Sequence, residues 1–282
     1  MTKTWTWSMT GYQFEGKSHQ ENQDICVTAG FSGIECVPPL LQGCTTEEIQ
    51  TIGGSYRNAG LVIETFHLPF SSEDDISSFY ETTRRKAVDK ACLWMERASA
   101  VGASVGIQHP TTNRFNVDEE GLDRYFNSIG KSLGVLLPVA EKLGFIIALE
   151  NMLPADGGRF TSRPAHFERL LNEFDHPGLG FCLDTGHALV AGGEDAADFQ
   201  MTMGSHLRAY HLADNSGDRD SHIAPGRGLV DWTKVFRRAA EQKFQGAMCI
   251  ETPPFAKGPD YSLEVWKSLV TETDALVEKS LG

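Results

Sequence analysis

Several features that would place a chain quickly are missing here. No apolar run approaches the roughly 20 residues needed to cross a bilayer. The start, MTKTWTWSMTGYQ, has no apolar segment of the secretory type. No pair of cysteines is spaced as CxxC, so the usual zinc and dithiol signatures are absent. The turn after the first strand-like run, Gly11 to Gly16, is not the GxGxxG of a dinucleotide fold. There is no linker, low-complexity segment or short repeat, and no long run of Lys and Arg. The densest basic cluster, Arg84-Arg85-Lys86, sits mid-helix and reads as a solvated face. These absences argue against membrane and secreted classes and against an obvious nucleic-acid groove. They point to a reduced, cytoplasmic protein.

What is present is ordinary for a globular domain: 282 residues, 40% hydrophobic and 22% charged. The net charge of −13, from 25 basic and 38 acidic residues, favours solubility and repels phosphate backbones and anionic membranes. Cys36, Cys182 and Cys249 sit in apolar runs and read as small core residues. The remaining three, Cys26, Cys44 and Cys92, are scattered, and a chain of this length needs no disulfides to fold.

The elements alternate regularly. Strands are expected at Thr4–Met9, Gly33–Val37, Leu61–Leu68, Ser104–Gln108, Phe145–Glu150, Leu179–Asp184, Leu207–Leu212 and Ala247–Glu251. Helices are expected at Ser18–Ala29, Thr45–Ala59, Asp75–Val101, Val117–Leu143, Ser162–Phe174, Gly186–Gly204 (broken), Asp231–Gln242 and Tyr261–Ser280, with Pro138 a candidate kink. The strands are short and continuously apolar, as parallel strands buried on both faces must be. Eight such units in about 250 residues make a (β/α)8 TIM barrel, here one domain over 1–282. A doubly wound open sheet is the competing architecture.

The polar residues fall where a barrel would use them. Glu150 ends the fifth strand, Asp184 the sixth, and Glu251 the eighth; His211 lies near the end of the seventh. Strand C-termini of such a barrel converge on one mouth. Three carboxylates and an imidazole form a hard, oxygen-rich shell for one divalent ion, suiting Mn²⁺ first, with Mg²⁺, Co²⁺ or Zn²⁺ compatible. The two glutamates would stand on opposite sides of a bound substrate, one to abstract a proton beside a carbonyl and one to return it. The stretch Leu207–Gly228 is especially dense, with His211, Asp214, Asp220 and His222.

The runs ALEN (148–151), CLDTGH (182–187), AYHLADN (209–215), DSHIAPGRG (220–228) and CIET (249–252) resemble the xylose isomerase-like TIM barrels. That superfamily holds sugar isomerases and epimerases together with endonuclease IV. The resemblance implies Glu150, Asp184, His211 and Glu251 as metal ligands, with Glu150 and Glu251 doubling as the acid/base pair. It implies His187 as a contact to substrate oxygens, and Arg219 is similar to a substrate-binding arginine of the seventh-strand loop. His67, His109, Asp220 and His222 are further candidates for substrate contact. Together with His187 they also match the additional ligands of the endonuclease IV branch, a three-metal phosphodiesterase reading that the net charge disfavours.

The function expected is therefore a divalent-metal-dependent isomerase or epimerase of a small sugar, sugar phosphate or hydroxy-keto acid, working through a metal-stabilised enediolate. A dehydratase or other lyase on a keto-sugar or inosose is the runner-up, since the same base could expel a β-hydroxyl. The expected partner is a small carbohydrate-like molecule, with no membrane and no nucleic acid, and a homo-oligomer is compatible. Other residues have plainer readings. Glu35, inside the second strand, would bind substrate or form a salt bridge within the barrel, and the structural ion pair suits it better. His19, His166, His176 and His206 suit the surface. Trp5 and Trp7 share one barrel face, as core or as a pocket wall. The loop 154–160 could form a lid, with Arg159 meeting an anionic group.

Overall fold

The computed structural model describes residues 5–112, 117–154, 158–190, 196–253 and 262–282. Eight parallel strands form one sheet: β1 (Ser8–Thr10), β2 (Gly33–Glu35), β3 (Thr65–His67), β4 (Val105–Gln108), β5 (Ile146–Glu150), β6 (Leu179–Asp184), β7 (Leu207–Leu212) and β8 (Ala247–Ile250). Their order is β2-β1-β8-β7-β6-β5-β4-β3. Parallel bridges Gly33↔Val62 and Cys36↔Phe66 join the two end strands and close the barrel. The doubly wound alternative is thereby excluded.

The helices are α1 (His19–Ala29), α2 (Thr46–Asn58), α3 (Glu81–Val101), α4 (Val117–Glu120), α5 (Leu122–Leu143), α6 (Pro164–Glu173), α7 (Thr185–Val190), α8 (Ala196–Met203), α9 (Trp232–Glu241) and α10 (Leu263–Leu281). Ser18 with Glu21, and Thr45 with Glu48, form reciprocal capping boxes that start α1 and α2. None of the helices among the described residues is long and apolar enough to cross a membrane.

Several boundaries moved: the third strand, expected from Leu61, begins at Thr65, and the helix expected over Val117–Leu143 is divided into α4 and α5. The helix expected from Asp75 starts at Glu81, because Asp75 accepts from the Ser77 backbone N–H (2.8 Å) and holds a turn there. Ser77 then donates to the Pro110 carbonyl (2.6 Å), tying this turn to the loop after β4. The first strand begins at Ser8 and not at Thr4, which lies outside the described residues, as do 191–195 of the broken helix. Pro138 is accommodated inside a continuous α5.

Side chains alternate across each strand. One set faces the helices and forms the main core. Trp5 and Trp7 belong to it: both rings pack on Phe236 of α9, and Trp7 donates to Asp274 of α10 (2.7 Å). They are core residues and do not wall the pocket. The other set fills the barrel with small side chains: Val105, Ile107, Ala148, Cys182, Ala209 and Ala247. Two residues further along β5, β6 and β7 the same inward positions carry Glu150, Asp184 and His211. A plug of small residues below and a ring of polar ones above is what the two-residue period predicts.

Two surface expectations fail. Arg84 is buried, held by Glu81 (2.8 Å) and by Ser132 of α5 (2.9 Å), so it locks α3 to α5. His166 of α6 is also buried, beside Phe160, which packs in turn on Tyr125 and Phe126 of α5. Burial, with the neighbouring Arg163, lowers its pKa to about 4. The unfolded chain binds a proton near pH 6.5 that the folded chain refuses until about pH 4. The stabilisation from a neutral His166 is thus complete above pH 6.5 and is lost as pH falls towards 4, a loss on the order of 3 kcal/mol. Urea unfolding should show His166→Phe gaining on wild type between pH 7 and pH 4.5. A difference that stays flat with pH would refute the assignment.

Candidate active site

The polar ring closes a cavity of about 340 Å³ at the C-terminal ends of the strands. Glu150, His187, Asp220, His222, Glu251, His67 and His109 all line it, with Phe70, Met152 and Leu153 as apolar walls. Two larger clefts, of about 520 and 410 Å³, lie between α5 and α6 and at the opposite end of the strands, and hold no comparable group of side chains.

Glu150, Asp184, His211 and Glu251 come together as expected. Each offers a ligand atom, and these atoms all lie within 4.8 Å of one another. Asp184 and His211 are register neighbours on β6 and β7, and Glu251 follows β8 directly. His211 Nδ1 is 2.9 Å from Glu251 Oε2 and 3.7 Å from Glu150 Oε1. These are ion-pair distances without hydrogen-bond alignment, and His211 Nδ1 and Asp184 Oδ2 are buried with no hydrogen-bond partner. Buried polar atoms are normally paired. An orphaned carboxylate oxygen and an orphaned ring nitrogen, within reach of two further carboxylates, fit a divalent cation.

The electrostatics agree. Burial, reinforced by Glu251 and Glu150, pushes Asp184 up to about 7, although His187 works in the other direction. Burial also disfavours the charge on Glu251, but the His211 imidazole outweighs it and holds the carboxyl down at about 2. Glu150 is likewise kept well below the usual range, against burial, by His109 and His211.

Glu150 has a second side. Its Oε2 lies 3.3 Å from His109 Nε2 and 3.8 Å from His67 Nε2, so His67, His109 and Glu150 make a second potential ligand group. His187, Asp220 and His222 make a third, with His222 Nε2 2.7 Å and His187 Nε2 3.5 Å from Asp220 Oδ2. Burial opposes the charged form of His222, yet the Asp220 hydrogen bond and Glu251 raise it to about 10. His222 has φ 43, a left-handed backbone uncommon for a residue with a side chain. Such local strain persists where the surroundings enforce it, and it clusters at functional sites.

Three histidines are aimed the same way. His67 Nδ1 meets the Leu68 carbonyl (2.9 Å), His187 Nδ1 that of Asn151 (2.8 Å), and His222 Nδ1 that of Glu251 (2.8 Å). A carbonyl only accepts, so Nδ1 carries the proton and Nε2 faces the cavity. Metal-ligating and substrate-binding imidazoles are commonly fixed in this manner.

Other expectations sort as follows. Arg219 is exposed and is not among the residues lining the cavity. Arg159 does line it, while its Nη2 donates to the Thr111 carbonyl (2.9 Å). Of the possible lid, residues 155–157 lie outside the described residues. Asp214, conspicuous in sequence, is a scaffold: it accepts from the backbone of Asn215, Gly226 and Val230 and from the Trp232 ring, at 2.8–3.0 Å. Those bonds fold the loop that delivers Asp220 and His222. Asn151, in the ALEN run, has a role that the sequence alone did not assign. It clamps the Asp184 backbone from both sides (2.9 and 2.7 Å), fixing β5 against β6 where Glu150 and Asp184 emerge. A buried-type amide directly after a strand-end glutamate was the available signal.

Residues 23–269 match the xylose isomerase-like TIM barrel family. The chain belongs to that family. An uncharacterized protein of Methanocaldococcus jannaschii is 28% identical over 191 residues, 66% of this chain and 62% of its own length. The chain thus spans about three-fifths of the length of the curated relatives it matches first. A probable endonuclease 4 of Solibacter usitatus is 26% identical over 228 residues, covering 74% of this chain and 75% of that one. Among solved structures, a D-tagatose 3-epimerase-like protein superimposes with a TM-score of 0.80 over 99% of this chain and 100% of its own, at 21% identity. At that identity the likeness speaks for the fold.

Proposed function

We propose that this chain is a divalent-metal-dependent isomerase or epimerase of a small sugar or hydroxy-keto compound. The observation that carries the reading is the convergence of Glu150, Asp184, His211 and Glu251, from four consecutive strands, on one point beside a cavity of monosaccharide scale. The epimerase-like structural relative supports the same direction. Asp184 and His211 would hold the ion together with the two glutamates. When bound, such an ion supplies Lewis acidity to a carbonyl and an adjacent hydroxyl. Glu251 and Glu150 reach the substrate from different strands. One takes the proton from the carbon beside the carbonyl, and the other returns it to the enediolate. His187, buried and charged through Asp184 and Asp220 despite the cost of burial, donates to a substrate oxygen. Phe70, Met152 and Leu153 keep bulk water from the reacting carbon.

A second reading has its own observation. Two further ligand groups adjoin the first, and Glu150 offers one oxygen to each side. A multinuclear centre of that kind suits hydrolysis of a phosphodiester, and the endonuclease 4 relative lies in the same direction.

The discriminating experiment is a panel of ketohexoses, their phosphates, hydroxypyruvate, inososes and an abasic duplex. It is run in D₂O with Mn²⁺, and the products are read after chelation by NMR. Deuterium at the α-carbon with mass otherwise conserved is expected. Loss of water would identify a lyase, and strand cleavage alone would overturn the isomerase reading.

A further inference from the structure

His211 differs from the three histidines aimed by backbone carbonyls. It presents Nδ1 to the carboxylates and turns Nε2 inward, into the barrel. There the strand carbonyls are engaged in the sheet, so only a side chain can meet the ring. That side chain is Glu35, which reaches from β2 across two intervening strands and places Oε2 3.1 Å from His211 Nε2. Glu35 is completely buried, and its other oxygen, Oε1, has no hydrogen-bond partner. The adjacent Cys249 thiol is pushed well above its usual range, chiefly by burial, and stays neutral. A half-paired buried carboxylate is a poor way to stabilise a barrel, since an apolar residue of similar volume often does better. Its placement is explained by what it does to the ring.

We propose that Glu35 is a positioning residue for the metal site: it holds the His211 proton on Nε2 so that the Nδ1 lone pair faces Glu150, Asp184 and Glu251. The proposal rests on the reading that these four residues bind a cation. Without Glu35, the stronger attraction for the ring proton is Glu251, 2.9 Å from Nδ1. The proton would then sit on the nitrogen that the ion needs, and the lone pair would point into the apolar barrel. A carboxylate behind the ring also makes Nδ1 the better donor, as carboxylate–imidazole pairs at metal sites do.

The test uses the full chain labelled with ¹⁵N-histidine. The His211 signals are identified by their absence in His211→Gln, and Zn²⁺ binding is followed by calorimetry. Wild type should show a His211 Nε2–H with and without Zn²⁺. In Glu35→Leu the proton should move to Nδ1 and Zn²⁺ affinity should fall about 10- to 100-fold. Glu35→Gln, whose amide oxygen can still accept from Nε2–H, should recover part of that loss. The thermal midpoint of metal-free Glu35→Leu should be no lower than that of wild type. Should Glu35→Leu not fold, Glu35→Asp, whose shorter side chain withdraws the carboxylate from Nε2, carries the comparison, with Glu35→Gln as the partial rescue. Zn²⁺ binding within twofold of wild type in Glu35→Leu, or in Glu35→Asp should the former not fold, or a persisting Nε2–H in Glu35→Leu, overturns the proposal. Wild type that takes up no Zn²⁺ overturns the metal-site reading instead, and the two failures are distinct.

Discussion

Glu150→Gln and Glu251→Gln are each expected to slow deuterium incorporation at the substrate α-carbon by about 10²- to 10⁴-fold, the usual worth of a general acid or base. The amide keeps the volume and one acceptor oxygen but cannot take a proton at any accessible pH. Each change also removes a negative charge from the proposed ion's shell, so weakened metal affinity should accompany the kinetic loss. Titrating metal to saturation separates the two effects: the binding part is recovered and the proton-transfer part is not. Folding should survive. Glu150 is buried, and its Oε2 lacks a hydrogen-bond partner, so neutralising it relieves a desolvated charge even as it weakens the hold on His109. Glu251 is the less enclosed of the two, with 17% of its side chain exposed, which suits the group that must meet substrate first. Exchange is read by NMR in D₂O and folding by circular dichroism. Full activity in both variants would refute the acid/base assignment.

The barrel and the four strand-end groups were legible because they obey short periods. Parallel strands buried on both faces must be apolar throughout, so a carboxylate closing such a run stands out, as Glu150 does after FIIAL and Asp184 after LGFCL. His67 and His109 were ambiguous for the opposite reason. A polar residue after a strand is commonplace, and only their approach to Glu150 Oε2 gives them a place. Of Glu35 only the need for an ion pair was legible, from a carboxylate inside an apolar strand; that its partner is His211, 176 residues away, was not, because nothing local tells which face of a three-residue strand looks into the barrel. The misjudged surface residues, Arg84 and His166, share a cause. Both lie on helices with polar residues on more than one side, where composition does not reveal which face meets a neighbouring helix or the barrel. Asp214 misled in the other direction. A carboxylate amid histidines suggests a ligand, yet four bonds, from the backbone of Asn215, Gly226 and Val230 and from the Trp232 ring, occupy both its oxygens.

Metal stoichiometry separates the two functional readings, and its expected effect is as large as that of the glutamates. Chelation should abolish α-carbon exchange, and one equivalent of Mn²⁺ per chain should restore it. The first ion is expected at the Glu150, Asp184, His211 and Glu251 group, because three carboxylates there face a single histidine, whereas each of the two adjoining groups sets two histidines against one carboxylate. Binding at 100 times the dissociation constant would add about 2.7 kcal/mol of stability, visible as a higher melting temperature. His109→Asn then becomes informative. It leaves the four-residue group whole and removes a ligand from the group that uses Glu150 Oε2. An isomerase working with one ion should keep the first equivalent and lose at most the contact of His109 with substrate. A trinuclear hydrolase should lose an equivalent of metal and its activity together. Three ions retained through purification in wild type, two in His109→Asn, and cleavage of an abasic duplex by the former alone would therefore decide for hydrolysis. The geometry around Glu150 makes this the sharpest comparison, since that one carboxylate faces both groups with different oxygens.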